Sequence, residues 1–187
     1  MTDQEIIRTQ KIIGTTPDSF WGPASIAACQ KHLRGLMPSP NPWPKSDQAS
    51  LQAFYGSPGD ESQHVRIDVT GDLVQYGGKT VYSVLCHKKV AESLKRVIDA
   101  LSLTHPEILR QYAGCYNNRP MRGGSLPSLH ARAAAIDFAP DDNGNRMAWP
   151  SAATMPIEVM EAFSREGWLS AGAFWGRDAM HWQATST

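Results

Sequence analysis

Apolar residues first recur at helical spacing near the amino end. Ile6, Ile7, Ile12 and Ile13 predict a helix over residues 4–13, with Thr2 and Asp3 as cap candidates and Gly14 to close it. Pro23 suits the first turn of a second helix, because its missing N–H would have no partner there. Ile26, Ala27, Cys29, Gln30 and Leu33 carry that helix to Leu33 or Leu36. Pro38, Pro40, Pro42 and Pro44 then alternate along the chain. Each fixes φ and removes a donor, so this run is expected to be extended and semi-rigid. A short helix around residues 47–54 follows, ended by Gly56 and Pro58.

Near residue 63 the pattern changes to period two. Val65, Ile67 and Val69 alternate with polar residues and predict a half-buried strand. Residues 73–76 and 80–84 flank Gly77-Gly78-Lys79 and predict a hairpin with a glycine turn. Val90, Leu94, Val97, Ile98 and Leu101 form one stripe of a helix over residues 88–103. His105-Pro106 breaks it, and a short turn restarts over residues 108–112. Residues 113–128 read as loop, 133–138 as a strand, 155–165 as a helix ended by Gly167, 168–176 as a Gly/Ala/aromatic loop, and 180–184 as a last strand. Helices and antiparallel strands mix without a βαβ rhythm, so the class expected is α+β. The division expected is a helical unit over 1–37, a Pro-rich linker and short helix over 38–62, and a larger unit over 63–187.

Composition narrows the function classes. The 187 residues hold 18 Lys+Arg against 18 Asp+Glu, a net charge of zero. That balance argues against a protein that binds nucleic acid through bulk charge. Hydrophobic residues make up 41% and charged residues 19%, a globular balance. Apolar runs stay well short of the ~20 residues that cross a bilayer, so membrane insertion is not expected. The polar, acidic start lacks the pattern of a signal peptide, which predicts synthesis in the cytoplasm. Cys29, Cys86 and Cys115 are odd in number and widely spaced, and read as reduced thiols.

Candidate chemistry gathers in two stretches, SLHARAAAID (residues 128–137) and DAMHW (178–182). A hydrolytic zinc site wants three ligands from His and carboxylate, with a fourth position open to water. His130, Asp137 and His181 offer that set for one ion. Asp178, three residues before His181, can reach the same pocket from a turn. A carboxylate there can take a proton and later deliver it to a leaving amine. Neither spacing is rare alone. Of the tryptophans, Trp175 is the candidate wall of a substrate groove, while Trp168 and Trp182 read as core.

In context these stretches resemble a known family. SLHARAAAID resembles the S-x-H-x-x-G-x-A-x-D signature of the zinc peptidases of peptidoglycan, which comprise D-alanyl-D-alanine carboxypeptidases and phage L-alanyl-D-glutamate endopeptidases; Ser128, His130, Ala135 and Asp137 stand in the matching positions. DAMHW resembles the second signature, an acidic residue three before the last His ligand. CYNNRPMRGG and GAFWGRDAMHWQ extend the likeness, which covers about residues 63–184. The resemblance implies a Hedgehog/DD-peptidase-like fold, a small antiparallel sheet flanked by helices. It implies His130, Asp137 and His181 as zinc ligands and Asp178 as base and acid. An arginine upstream of the first His should steady the oxyanion: Arg119 is the better match and Arg122 the rival, otherwise a substrate contact. Ser128 should orient His130 or a substrate group. The partner implied is bacterial peptidoglycan, met by a monomer after release from the cell that made it. The family's glycine falls at Ala133; if that backbone needs positive φ, alanine carries ~1–2 kcal/mol of strain. The first 37 residues resemble a peptidoglycan-binding helical module, whose D-G-x-x-G-P-x-T pattern is matched by Asp18, Gly22, Pro23 and Ser25, with Ser19 in place of a glycine.

Overall fold

The computed structural model describes residues 1–69 and 73–186; Thr187, the last residue of the expected larger unit, lies outside them. The chain folds as α+β. The first helix, α1 (Asp3–Ile12), starts at a capping box in which Thr2 and Glu5 satisfy each other's backbone N–H groups. The second, α2 (Pro23–Leu36), starts at Pro23 as expected. Between them Gln10 is fully buried and acts as the polar centre. Its Nε2 reaches Asp18 Oδ1 (2.9 Å), the Phe20 carbonyl (3.0 Å) and Ser25 Oγ (3.1 Å), and its Oε1 accepts the Ser19 N–H (2.9 Å). A buried amide with both its nitrogen and its oxygen engaged locks the loop between the helices. Ser19 sits at φ 62.

The Pro-rich run is held down along its length. Trp43 is buried, stacks edge-on to Trp168 (6.1 Å between centroids), and its Nε1 donates to the Glu166 carbonyl at 2.8 Å. Asn41 Nδ2 donates to the Gly167 carbonyl at 2.9 Å. The run ends in α3 (Gln48–Tyr55), whose Asp47 cap accepts the Ser50 N–H and whose Tyr55 hydroxyl donates to the Ala184 carbonyl at 2.6 Å.

The larger unit opens with β1 (His64–Asp68). The expected hairpin is present but smaller: β2 (Gln75–Tyr76) and β3 (Lys79–Thr80) turn on Gly77 and Gly78, both at positive φ, as a two-residue hairpin turn requires. Residues 80–84 do not form one strand. The chain leaves the hairpin at 81 and 82, and β4 (Ser83–His87) pairs along its full length with β1 instead. The amphipathic helix α4 (Ala91–Thr104) follows, with Leu94, Val97, Ile98 and Leu101 all buried, then α5 (Pro106–Leu109) and β5 (Tyr112–Gly114). Beyond a 3₁₀ turn (Leu129–Arg132) come β6 (Ala135–Phe138), α6 (Pro140–Asn143), α7 (Ile157–Arg165), β7 (Leu169–Ser170), α8 (Ala171–Trp175) and β8 (His181–Gln183). The stretch expected as loop over 168–176 is therefore β7 and α8. Its five-residue helix is too short to reveal a period, and Gly172 is required where a Cβ would meet Ala179 and Met160 within 3 Å.

Among the described residues, six strands form the main sheet, in the order β3-β2-β5-β6-β8-β7. Neighbours are antiparallel except β2 and β5, which run parallel where Tyr76 meets Tyr112, so the sheet is mixed rather than wholly antiparallel. The pleat sorts its two faces. Ile136, Phe138 and Trp182 point into the core, where Trp182 stacks on Phe163 of α7 at 4.5 Å and 13°. The amino-terminal helices share that core. Helix α2 packs on α7 and α8, His32 Nε2 meets Glu161 Oε1 at 2.7 Å, and Cys29 and Leu33 are fully buried. Among the described residues, no helix is long and apolar enough to cross a membrane.

Two substitutions test these packing statements. Trp43→Ala should cost about 3–5 kcal/mol in urea unfolding, because it empties the pocket that anchors the Pro-rich run. Ser19→Gly should stabilise by about 0.5–1 kcal/mol, since relief of a left-handed L-residue outweighs the added freedom of the unfolded chain; an unchanged midpoint would show that this loop bears no strain.

Candidate metal centre

The alternation that buries Ile136 and Trp182 turns their neighbours the other way. Asp137 and His181 lie directly opposite each other on β6 and β8. Cross-strand partners sit close enough for side chains to touch, and His181 Nδ1 is 2.9 Å from Asp137 Oδ1. The third group, His130, comes from the 3₁₀ turn, whose amino end is capped by Ser128 Oγ accepting the His130 backbone N–H at 3.3 Å. Ser128 thus orients His130 through the main chain. The turn ends at Ala133, with φ 51 and ψ 32. Ala133 therefore does occupy the left-handed conformation that a glycine would adopt freely. Its carbonyl accepts the His87 N–H at 2.7 Å and the Cys115 thiol at 3.4 Å, which holds the bend in place.

His130 Nε2 lies 3.1 Å from His181 Nδ1 and 3.2 Å from Asp137 Oδ1. The outer ring nitrogens define the tautomers. His130 Nδ1–H donates to the Cys115 carbonyl at 2.8 Å. His181 Nε2–H makes a long bond to Gln183 Oε1 at 3.4 Å, and Gln183 Nε2 donates to Thr185 Oγ1 at 2.7 Å. Each neutral imidazole therefore aims a lone pair at the other and at a carboxylate. Three electron-rich atoms in mutual contact call for positive charge among them, supplied by a metal ion or by a proton shared with the carboxylate. Tetrahedral zinc with ligands at its usual bond lengths separates ligand atoms by about 3.3 Å, close to the spacings observed. His130, Asp137 and His181 could hold a metal ion, and the outer hydrogen bonds are those that fix metal-binding imidazoles elsewhere.

Charge follows geometry. Where a proton on the inner ring nitrogens takes the place of a metal ion, burial by itself would raise the Asp137 carboxyl, but the hydrogen bonds from His130 and His181 outweigh it and hold the group below the ordinary range. Burial disfavours charge on His181 as well, and its bond to Asp137 outweighs that in turn, moving it up. Asp178 differs. Burial pushes its carboxyl above the ordinary range, against the attraction of His181, and its Oδ1 is buried without a hydrogen-bond partner. The residue adopts φ 61, and its carbonyl accepts the His181 N–H at 2.9 Å, which fixes it at the entry to β8. Burial also raises the Cys115 thiol, and Cys115 contributes its carbonyl, not its sulfur, to the centre.

All eight positions singled out in the sequence line one cleft of about 200 Å³: His130, Asp137, His181, Asp178, Arg119, Arg122, Ser128 and Trp175. Trp175 stands half exposed at its rim, its ring 6.1 Å from that of His181. Arg119 Nη1 donates to the Pro120 carbonyl at 3.1 Å, and Arg122 contributes to the field on Asp178. A second cleft of about 450 Å³ continues past the centre on the side of Tyr76, Tyr112 and Tyr116, sharing Arg119, Arg122, His130 and Asp137 with the first. Gln183 and the Cys115 carbonyl were missed from the sequence. Gln183 carries a usable signal, since residues two apart on a strand share a face; the carbonyl carries none. No protein-family model, curated protein or solved structure matches this chain.

If Gln183 fixes the His181 tautomer, Gln183→Leu should weaken metal binding about 10–100-fold, measured by competition with a chromophoric chelator, while circular dichroism stays native. Unchanged affinity would remove Gln183 from the centre.

Proposed function

We propose that this chain is a zinc-dependent peptidase that cuts within the peptide stems of bacterial peptidoglycan, an L-alanyl-D-glutamate endopeptidase of the kind found in phage endolysins. One observation carries the reading: two imidazoles of fixed tautomer and one carboxylate converge beside Asp178, whose buried carboxylate oxygen has no partner. The likeness of SLHARAAAID and DAMHW to the two signatures of that family supports it independently. So does a cleft across a sheet whose adjacent strands each bear a ligand, which a Hedgehog/DD-peptidase-like fold would provide.

His130, Asp137 and His181 would hold the zinc, which when bound supplies Lewis acidity and lowers the pKa of water toward neutrality. Asp178 takes the proton of the attacking water and returns it to the leaving amine; a carboxyl raised by burial suits a group that must both accept and release a proton near neutral pH. Arg119, with Arg122 beside it, places a guanidinium where negative charge develops on the scissile carbonyl oxygen. Trp175 forms an apolar wall at the rim. The clefts meeting at the centre leave room for chain on both sides of the cut bond. That favours an endopeptidase over a D-alanyl-D-alanine carboxypeptidase, which would close one side around a terminal carboxylate. Action on the wall would follow release from the cell that makes the protein.

The test pairs metal content with product analysis on purified peptidoglycan. The wild-type protein should bind one zinc per chain and expose new amino groups on D-Glu. Free D-Ala would select the carboxypeptidase, and no product from zinc-loaded protein would mark a wall-binding protein without activity. Asp178→Asn should keep its zinc and lose about 10²–10⁴-fold in rate, whereas His181→Ala should lose the zinc as well. Near-normal cleavage by Asp178→Asn would show that another group carries the proton.

A further inference from the structure

The charge of the chain is balanced overall, but not around the centre. Besides the two clefts already described, a third opens on the far side of Arg122, between Gly123 and Arg146. Among the described residues, the three together are lined by five arginines, Arg66, Arg119, Arg122, Arg146 and Arg177, and by no lysine. Their only carboxylates among the described residues are Asp137 and Asp178, both committed at the centre. Elsewhere arginines find acidic partners: Arg8 pairs with Glu158, Arg96 with Glu166, and Arg165 with Glu161. Among the described residues, none of the five groove arginines forms an ion pair. Arg66 lies at the end of the groove farther from Trp175, where its one hydrogen bond among the described residues, from Nη1 to Ser83 Oγ at 3.3 Å, leaves most of its donors available. Planar guanidinium forks bind carboxylates in pairs of parallel hydrogen bonds.

We infer that this arginine-lined groove selects peptide stems by their free carboxylates, with Arg66 anchoring a carboxylate remote from the scissile bond, and that amidated stems are poor ligands. The inference rests on the peptidase reading and adds a rule of substrate choice to it. Peptide carboxylates are favoured over the phosphates of wall polymers because the arginines follow the groove through the metal centre, where a peptide must lie to be cut. An amide in place of a carboxylate removes the charge and presents N–H donors to a donor-only guanidinium. The amide keeps one acceptor oxygen, so the charged pair of parallel hydrogen bonds falls to a single neutral one.

Isothermal titration of the zinc-loaded Asp178→Asn protein tests this without turnover. The probes are a synthetic stem tetrapeptide, L-Ala-γ-D-Glu-meso-diaminopimelate-D-Ala, the same peptide with its D-Glu and diaminopimelate side carboxyls amidated, and a glycerol-phosphate oligomer. The free-acid peptide should bind at least tenfold more tightly than the amidated one. Adding Arg66→Gln should shrink that ratio severalfold with zinc content unchanged, while Lys11→Gln, which removes a charge outside the groove, should leave the ratio as it was. Equal affinities for the two peptides, no binding of either, an unchanged ratio in Arg66→Gln, or tighter binding of the phosphate oligomer would each overturn the inference. Its failure is distinct from failure of the peptidase reading: wild-type protein that cuts amidated and free stems equally well sinks only the former, and protein that cuts neither sinks the latter.

Discussion

The register between β6 and β8 is the constraint on which the candidate site rests. Asp137 and His181 face each other because Ala135 pairs with Gln183 and Ile136 with Trp182. A slip of β8 by one residue would send His181 into the core and bring Trp182 out to the cleft beside Asp137. The register is therefore held by the apolar face: Trp182 flat against Phe163, and Phe138 beside both. Hydrophobic burial on one side of the sheet thus sets electrostatic geometry on the other. The protein can keep electron-rich atoms in contact at the centre because the energy that places them there comes from somewhere else.

The rest of the architecture braces that pair. Helix α7 carries Phe163, and it is supported from behind by α2, from the side by α4, and at its carboxyl end by the Pro-rich run through Trp43 and Asn41. Tyr55 of α3 donates to the Ala184 carbonyl just beyond β8. The segments that precede the sheet in sequence therefore press on its core face and its edges, and the face with the polar residues stays open. Glycine-like bends at Ala133 and Asp178 bring the chain abruptly into β6 and β8. Strain of this kind persists only where the surroundings over-determine the backbone, as the hydrogen bonds on the Ala133 carbonyl do here.

Much of this was legible in the residues because the relevant signals are local. The stripes of α1, α2 and α4 stand out as periodicity, and the hairpin turn as two adjacent glycines. What was not legible depends on partners far along the chain. Nothing in residues 80–84 says that the strand divides between two sheets, because the partner of its second half is β1. The parallel meeting of Tyr76 and Tyr112 is likewise a tertiary choice. Residues 168–176 hid a strand and a helix because each is shorter than the window in which a period can be seen. In the cleft, His130, Asp137, His181 and Asp178 could be picked out by type and spacing, and Arg119 and Arg122 only through the family resemblance. Their hydrogen-bond partners could not, and the arginine at position 66 gave no hint of sharing a groove with Arg119 and Arg122, some fifty residues away.

The two histidines are oriented by unlike means. His181 leans on the side chain of Gln183, whereas His130 leans on a main-chain oxygen at Cys115. No exchange of side chain at 115 deletes that oxygen, so this half of the centre is insulated from point mutation so long as the strand keeps its path. The other half hangs on one codon. Drift in descendants of this gene should therefore erode the pair unevenly, loosening the imidazole on β8 while the one in the turn stays fixed.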